Sequence, residues 1–185
     1  MEVMEAISSR RSIRKYKPDP IDDSTLEMVL EAARLAPSWA NTQCWRFIVV
    51  RDNKIKAQLV STLSEGNPVV PAIDNAPVVI VACAELGKSG CKDGMARTDK
   101  GDWFMFDVAL AMQNLVLTAQ SLGLGTVHVG SFDAKKAESI LEIPEGFCVV
   151  EMTPLGYPDQ VREPRPRKEL SEIVFYDRWG VKEAV

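Results

Sequence analysis

Residues 102–122 carry the longest helical pattern in the chain, and their all-round apolarity limits what the chain can fold into. Met105, Val108, Met112, Leu115, Val116, Ala119 and Leu122 recur on one side at helical spacing. Phe104, Ala109, Ala111 and Leu117 occupy much of the other sides and leave only a thin polar stripe. A helix of this kind is buried, either inside a large core or against a partner chain. A chain of 185 residues is long for one small domain and short for two, so a single domain over 1–185 is expected. In a single domain of that size, a partner chain becomes an attractive cover for such a helix.

The flanking segments alternate. A short helix over 2–9 runs into a basic stretch, and Lys17-Pro18-Asp19-Pro20 breaks the chain. Asp22 to Thr25 offer amino-terminal caps for a helix that Pro37 stops near Ala36. A loop over 37–44 leads into a strand at 46–50, and an amphipathic helix spans Asp52 to Leu63. The continuous apolar run 76–83 has the length and composition of a strand covered on both faces. Residues 67–75 read as a connector and 85–101 as the most polar, mobile-looking segment. A short strand over 126–129, a helix from Asp133 to Leu141 and a strand over 146–155 follow, with a last strand expected at 170–175. Strands alternating with helices predict an α/β or α+β sheet with helical layers.

Composition narrows the function. The net charge is −4, which argues against nucleic acid as the main partner. The basic residues are local, at 10–15 and at Arg162, Arg165, Arg167 and Lys168, a distribution that suits a small anionic ligand. No targeting segment and no apolar stretch of spanning length is evident. Cys44, Cys83, Cys91 and Cys148 are scattered without a C-x-x-C pair, which excludes a zinc site and reads as reduced thiols in a cytoplasm. His128 is the only histidine, so triads and histidine-rich metal centres are excluded. No catalytic side chain and no metal site is assigned; if this is an enzyme, a cofactor carries the chemistry.

Three segments can hold one. Arg10, Arg11, Ser12 and Arg14 put forked guanidinium donors and a hydroxyl close together. This is either a solvated basic turn at a helix end or the seat of a phosphate on a small cofactor. In Arg165-Pro166-Arg167 the proline holds the backbone extended, so the two arginines project to one side. Ser38, Asn41 and Gln43 are neutral donors and acceptors on a proline-stiffened loop, and fit either an ordinary capped loop or the edge of a planar heterocycle. The glycines of Leu122-Gly123-Leu124-Gly125 follow a helix rather than a strand, so they form a helix end and not a dinucleotide fingerprint. His128 fits a packed, hydrogen-bonded neutral imidazole, and Cys91 an exposed thiol without a cation pattern.

These residues resemble, in order, the blocks of the FMN-dependent nitroreductase family. Arg10-Arg11-Ser12-Ile13-Arg14 is similar to its opening motif, and Ala36 to Phe47 to its Pro-Ser-Ser-x-Asn-x-Gln-Pro-Trp segment. Leu122 through Gly130, Ile143-Pro144-Glu145-Gly146, Pro154 to Pro158 and the basic Arg165-Pro166-Arg167 match its later blocks. The resemblance implies an α+β fold with a central, mostly antiparallel sheet flanked by helices, in an intertwined homodimer with FMN at the interface. It implies that Arg10, Arg11, Ser12, Arg14, Arg165 and Arg167 bind the phosphate and part of the ring. Pro37, Ser38 and Trp39 would come from the partner chain, Asn41 and Gln43 would lie near the flavin, and His128, Val129, Gly130 and Ser131 would line the other ring face. The implied activity is oxidation of NADH or NADPH coupled to reduction of nitroaromatics, quinones or similar small acceptors. A flavin-handling or dehalogenating reaction, or a non-catalytic flavin store, stays open beside it. Three departures stand out: Trp39 replaces the second serine, Cys44 replaces the proline, and an asparagine that larger members place after the second sheet helix has no clear match, the 67–75 segment being shorter here.

Overall fold

In the computed structural model, which describes residues 1–182, the strands are β1 (Trp45–Val50), β2 (Val78–Glu85), β3 (Cys91–Lys92), β4 (Met95–Ala96), β5 (Gly125–Thr126) and β6 (Phe147–Gly156). The helices are α1 (Val3–Ser9), α2 (Asp23–Arg34), α3 (Asn53–Val60), α4 (Val70–Asn75), α5 (Phe104–Ser121), α6 (Ala134–Ile140) and α7 (Leu170–Ile173). The main sheet has the order β1-β2-β6-β5 with every neighbouring pair antiparallel.

The apolar run over 76–83 becomes the inner strand β2, and all of it but Glu85 is buried. Side chains alternate across a strand, so β2 feeds two cores. Val78, Ile80, Ala82 and Ala84 pack with α2 and α5. Val79, Val81 and Cys83 pack with residues of α3, α4 and α6. Two helical layers around an antiparallel sheet give the α+β class that the sequence predicts.

Three helices start on aspartate caps, the one at Asp22 as the sequence predicts. The carboxylates of Asp22, Asp52 and Asp133 accept backbone N–H groups from the first turns of α2, α3 and α6, satisfying donors without a partner inside the helix. Gly123, at φ 78°, closes α5 in the left-handed region. In α5, Asp107, Val108, Ala111, Met112, Leu115, Val116 and Ala119 are buried, whereas Met105 and Phe106 are more than half exposed.

Some expectations are corrected. The 67–75 connector contains α4, because Ala72 and Ile73 give it an apolar face wholly buried in the second core. The last strand expected at 170–175 is instead α7, where the Glu172 carboxylate accepts the Glu169 N–H in a capping arrangement. α3 ends at Val60 rather than Leu63. The 126–129 strand shrinks to β5, with Val129 joined to Met152 by a single bridge. The polar 85–101 segment holds the β3–β4 hairpin, and its Ser89 is fully buried. Among the described residues no helix is long and apolar enough to cross a membrane.

Two outcomes test this packing. A Cβ at Gly125 would stand 2.8 Å from Ile13 Cβ; Gly125→Ala is therefore expected to destabilise the fold by about 1–3 kcal/mol in urea unfolding. Asp22 is held down to about 2, chiefly by the Ser24 hydroxyl and then by the Thr25 N–H. A depressed carboxylate contributes stability above its unfolded pKa of about 4 and loses it as pH falls through its folded value. The stability difference between wild type and Asp22→Ala, followed by acid titration, should therefore shrink between these two limits.

Candidate functional site

The segment after α1 lies along the edge of the main sheet. Ser12 bridges Thr126 of β5, and the Ile13 N–H donates to Thr126 O at 2.9 Å. Lys17 N–H donates to Tyr157 O and Asp159 N–H to Lys15 O, each at 2.9 Å. The buried Tyr16 hydroxyl donates to Ile13 O at 2.7 Å and lies 3.2 Å from Pro154 O. Burial raises its pKa far above the ordinary phenol value, so it remains a donor. The chain leaves β6 beside this same segment, which carries the carboxy-terminal arginines back over the amino-terminal ones.

The result is a cavity of about 560 Å³ lined by Arg10, Arg11, Ser12, Arg14, Arg165 and Arg167, together with Arg162 and Glu163. That volume lies within the roughly 300–1,000 Å³ of small-molecule sites. Among the described residues none of these guanidiniums forms an ion pair with a carboxylate. Burial first, then the neighbouring Arg167 and Arg11, lower the Arg10 pKa, which marks converging like charges. Arg11 turns Nη1 to Ser8 O at 2.7 Å and Arg10 O at 2.9 Å, yet its buried Nε has no partner. Forked donors, an unpartnered buried N–H and uncompensated charge fit a phosphate dianion, whose oxygens accept several charge-assisted bonds. The basic turn thus lines a cavity.

The other expected residues do not line this cavity. Pro37, Ser38, Trp39, Asn41 and Gln43 lie on the loop between α2 and β1, which packs against the start of α5. The Gln43 N–H donates to Ser38 Oγ at 3.0 Å, and Gln43 Nε2 donates to Asn41 Oδ1 at 3.2 Å. His128, Val129, Gly130 and Ser131 follow β5. The His128 side chain is exposed rather than packed, with Nδ1 2.9 Å from Glu151 Oε1. Val127 and Val129 on either side are buried, and strand alternation turns His128 to the opposite, open face. The described residues hold no cluster of His, Cys, Asp or Glu able to bind a metal.

Three residues of interest stand outside the set that the sequence assigns to the ligand. Arg162 joins the cavity from the basic tail. Asn67 lies beside the 128–131 segment, its amide 3.4 Å from Ser131 O. Asp107 is fully buried and anchors the 37–43 loop; its signal was being the only charged residue between 104 and 121.

Comparisons with known proteins place the chain by sequence and fold. The sequence profile described as the Nitroreductase family matches residues 7–73 and 67–157. A crystal structure of a nitroreductase family protein from Clostridium novyi NT superposes with TM-score 0.78 at 32% identity, covering 98% of this chain and 97% of that one. The NADPH:FMN oxidoreductase of Vibrio harveyi, solved with NAD+, superposes with TM-score 0.83 at 26% identity over 96% of this chain and 77% of its own. An FMN reductase of Bacillus subtilis that uses NAD(P)H is 30% identical over 181 residues, covering 90% of this chain and 70% of the relative.

The thiols give a chemical test of the described burial. Burial, then Asp107, pushes Cys44 up to about 12; burial, then Cys148, pushes Cys83 up to about 12. Alkylation depends on the thiolate, so at pH 8 native protein should react at the half-buried Cys91 well before Cys44 or Cys83, as read by peptide mass mapping.

Proposed function

The chain belongs to the Nitroreductase family, and from that premise we propose that it is an FMN-dependent oxidoreductase. It uses NADH or NADPH to reduce nitroaromatics, quinones or similar acceptors by a ping-pong cycle, within a single FMN-binding domain over 1–185. The observation that carries this reading is the cavity in which Arg10, Arg11, Ser12, Arg14, Arg165 and Arg167 converge. These residues would hold the ribityl phosphate; Arg10 and Arg167 supply charge, and the buried Arg11 Nε supplies a directed donor. FMN seated there supplies hydride exchange, first with NAD(P)H and then with the acceptor. The backbone of His128, Val129, Gly130 and Ser131 would line one ring face, with Asn67 beside it. No side chain is assigned a catalytic role.

A second copy of the chain would complete the site with Pro37, Ser38, Trp39, Asn41 and Gln43, since these lie away from the arginine cavity of their own chain. Exposed apolar surface supports a homodimer. Met105 and Phe106 on α5 are open, an apolar groove of about 390 Å³ runs between α1, α2 and α5, and on the carboxy-terminal arm Val161 and Trp179 are 91% and 90% exposed. Covering such surface by a partner is strongly favourable. The four free cysteines support a cytoplasmic setting.

Each charge-assisted phosphate contact contributes about 1.5–3 kcal/mol. Arg10→Ala is therefore expected to lower FMN affinity by roughly ten- to a hundredfold, whereas Cys91→Ser leaves flavin occupancy unchanged. Equal flavin content in the two purified variants would refute the site. Sedimentation of the yellow protein should give a dimer; a monomer with full flavin content would refute the shared site. Recovery of intact FMN after turnover separates reduction of an external acceptor from flavin breakdown.

A further inference from the structure

We propose that Asp107 is the positioning residue of the acceptor site: its buried carboxylate fixes the 37–43 loop so that Trp39 stands against Trp103 as an aromatic wall that favours flat acceptors. The proposal rests on the reading that this loop borders the flavin. Asp107 has no exposed surface, and among the described residues it forms no ion pair with a cation. A carboxylate in such a place is costly unless directed donors satisfy it. The donors come from one short stretch of chain. Trp39 N–H lies 3.0 Å from Oδ1 and 3.2 Å from Oδ2, Thr42 Oγ1 3.4 Å from Oδ2, and Cys44 Sγ 3.7 Å from Oδ2. Asp107 lies in the first turn of α5, where the positive end of the helix favours a negative group.

The loop needs such an anchor. Ala40, Asn41 and Gln43 have φ of 45°, 56° and 48°, a left-handed backbone that non-glycine residues adopt only when surrounding contacts enforce it. The anchor also sets an aromatic geometry. The Trp39 and Trp103 ring centroids are 5.1 Å apart at 43°, and Trp103 meets Phe106 edge-on at 5.4 Å. Trp103 is itself immobilised. Its Nε1 donates to Thr98 Oγ1 at 2.9 Å, its N–H donates to Ser89 O at 3.0 Å, and a Cβ at Gly90 would lie 2.4 Å from its Cδ1. The carboxylate and the fixed indole thus come from the same end of α5, and they meet the half-buried Trp39 at its backbone N–H and at its ring. An aromatic face without a charged donor favours a planar π-system over a compact hydrated anion.

The test uses the flavin-loaded protein with a naphthoquinone and with ferricyanide as alternative acceptors. In Asp107→Ala and in Trp39→Ser, measured per bound flavin, the ratio of quinone KM to ferricyanide KM should rise about tenfold, the signature of an apolar contact made by one acceptor and not by the other. Asp107→Asn keeps an oxygen for the Trp39 N–H and should fall between wild type and Asp107→Ala. The exciton-coupled circular dichroism of the two indoles should vanish in Trp39→Ser and weaken in Asp107→Ala. An unchanged quinone-to-ferricyanide KM ratio in Trp39→Ser overturns the proposal, as does an unchanged indole signal in either Asp107 variant that folds. Should Asp107→Ala fail to fold, Asp107→Asn and Trp39→Ser decide. A wild-type protein that retains no flavin would defeat the underlying flavin reading instead, and the indole signal alone would then judge the role of Asp107 in the loop.

Discussion

Backbone hydrogen bonds between the 12–17 segment and the sheet edge are the interaction on which the candidate site depends. Ile13, Lys17 and Asp159 donate across this seam, and Tyr16 closes it from within. Without the seam, Arg10, Arg11 and Arg14 would repel one another and the returning arginines into solvent. With it, the positive charges are fixed by main-chain geometry rather than by paired carboxylates, so their donors remain free for a ligand. Gly125 makes the seam possible, because any side chain there would occupy the volume of Ile13.

The same economy governs the interior. β2 supplies both cores by alternation, and α5 fills one of them while leaving Met105 and Phe106 uncovered. One helix thereby serves the core with one face and offers another to a partner. Its first turn does further work through Asp107, the point at which the 37–43 loop is tied to the helical layer. In the proposed dimer, that tie would transmit the position of α5 to the flavin site of the other copy.

Much of this was legible in the sequence because local signals and global packing agreed. The uninterrupted apolar run of β2 required cover on both faces, and the cap candidates at Asp22 to Thr25 marked the start of α2. The basic residues stood out because the chain around them is acidic. What escaped depended on contacts distant in sequence. α4 is short and has no side-chain cap, so only burial of Ala72 and Ile73 defines it. Leu170, Ile173 and Val174 satisfy a strand or a helical turn equally, and the Glu169–Glu172 pair decides for α7. For His128 the alternation of Val127 and Val129 already implies an open face, and only its partner Glu151 is distant in sequence. Asp107 was unreadable as an anchor because its donors lie more than sixty residues away.

The central claim is that the arginine cavity grips a flavin by its phosphate. Titrating flavin-free protein with FMN and with riboflavin, which lacks the phosphate, measures this directly. Loss of two or more charge-assisted contacts predicts riboflavin binding weaker by at least about a hundredfold. Equal affinities for the two flavins would contradict the account.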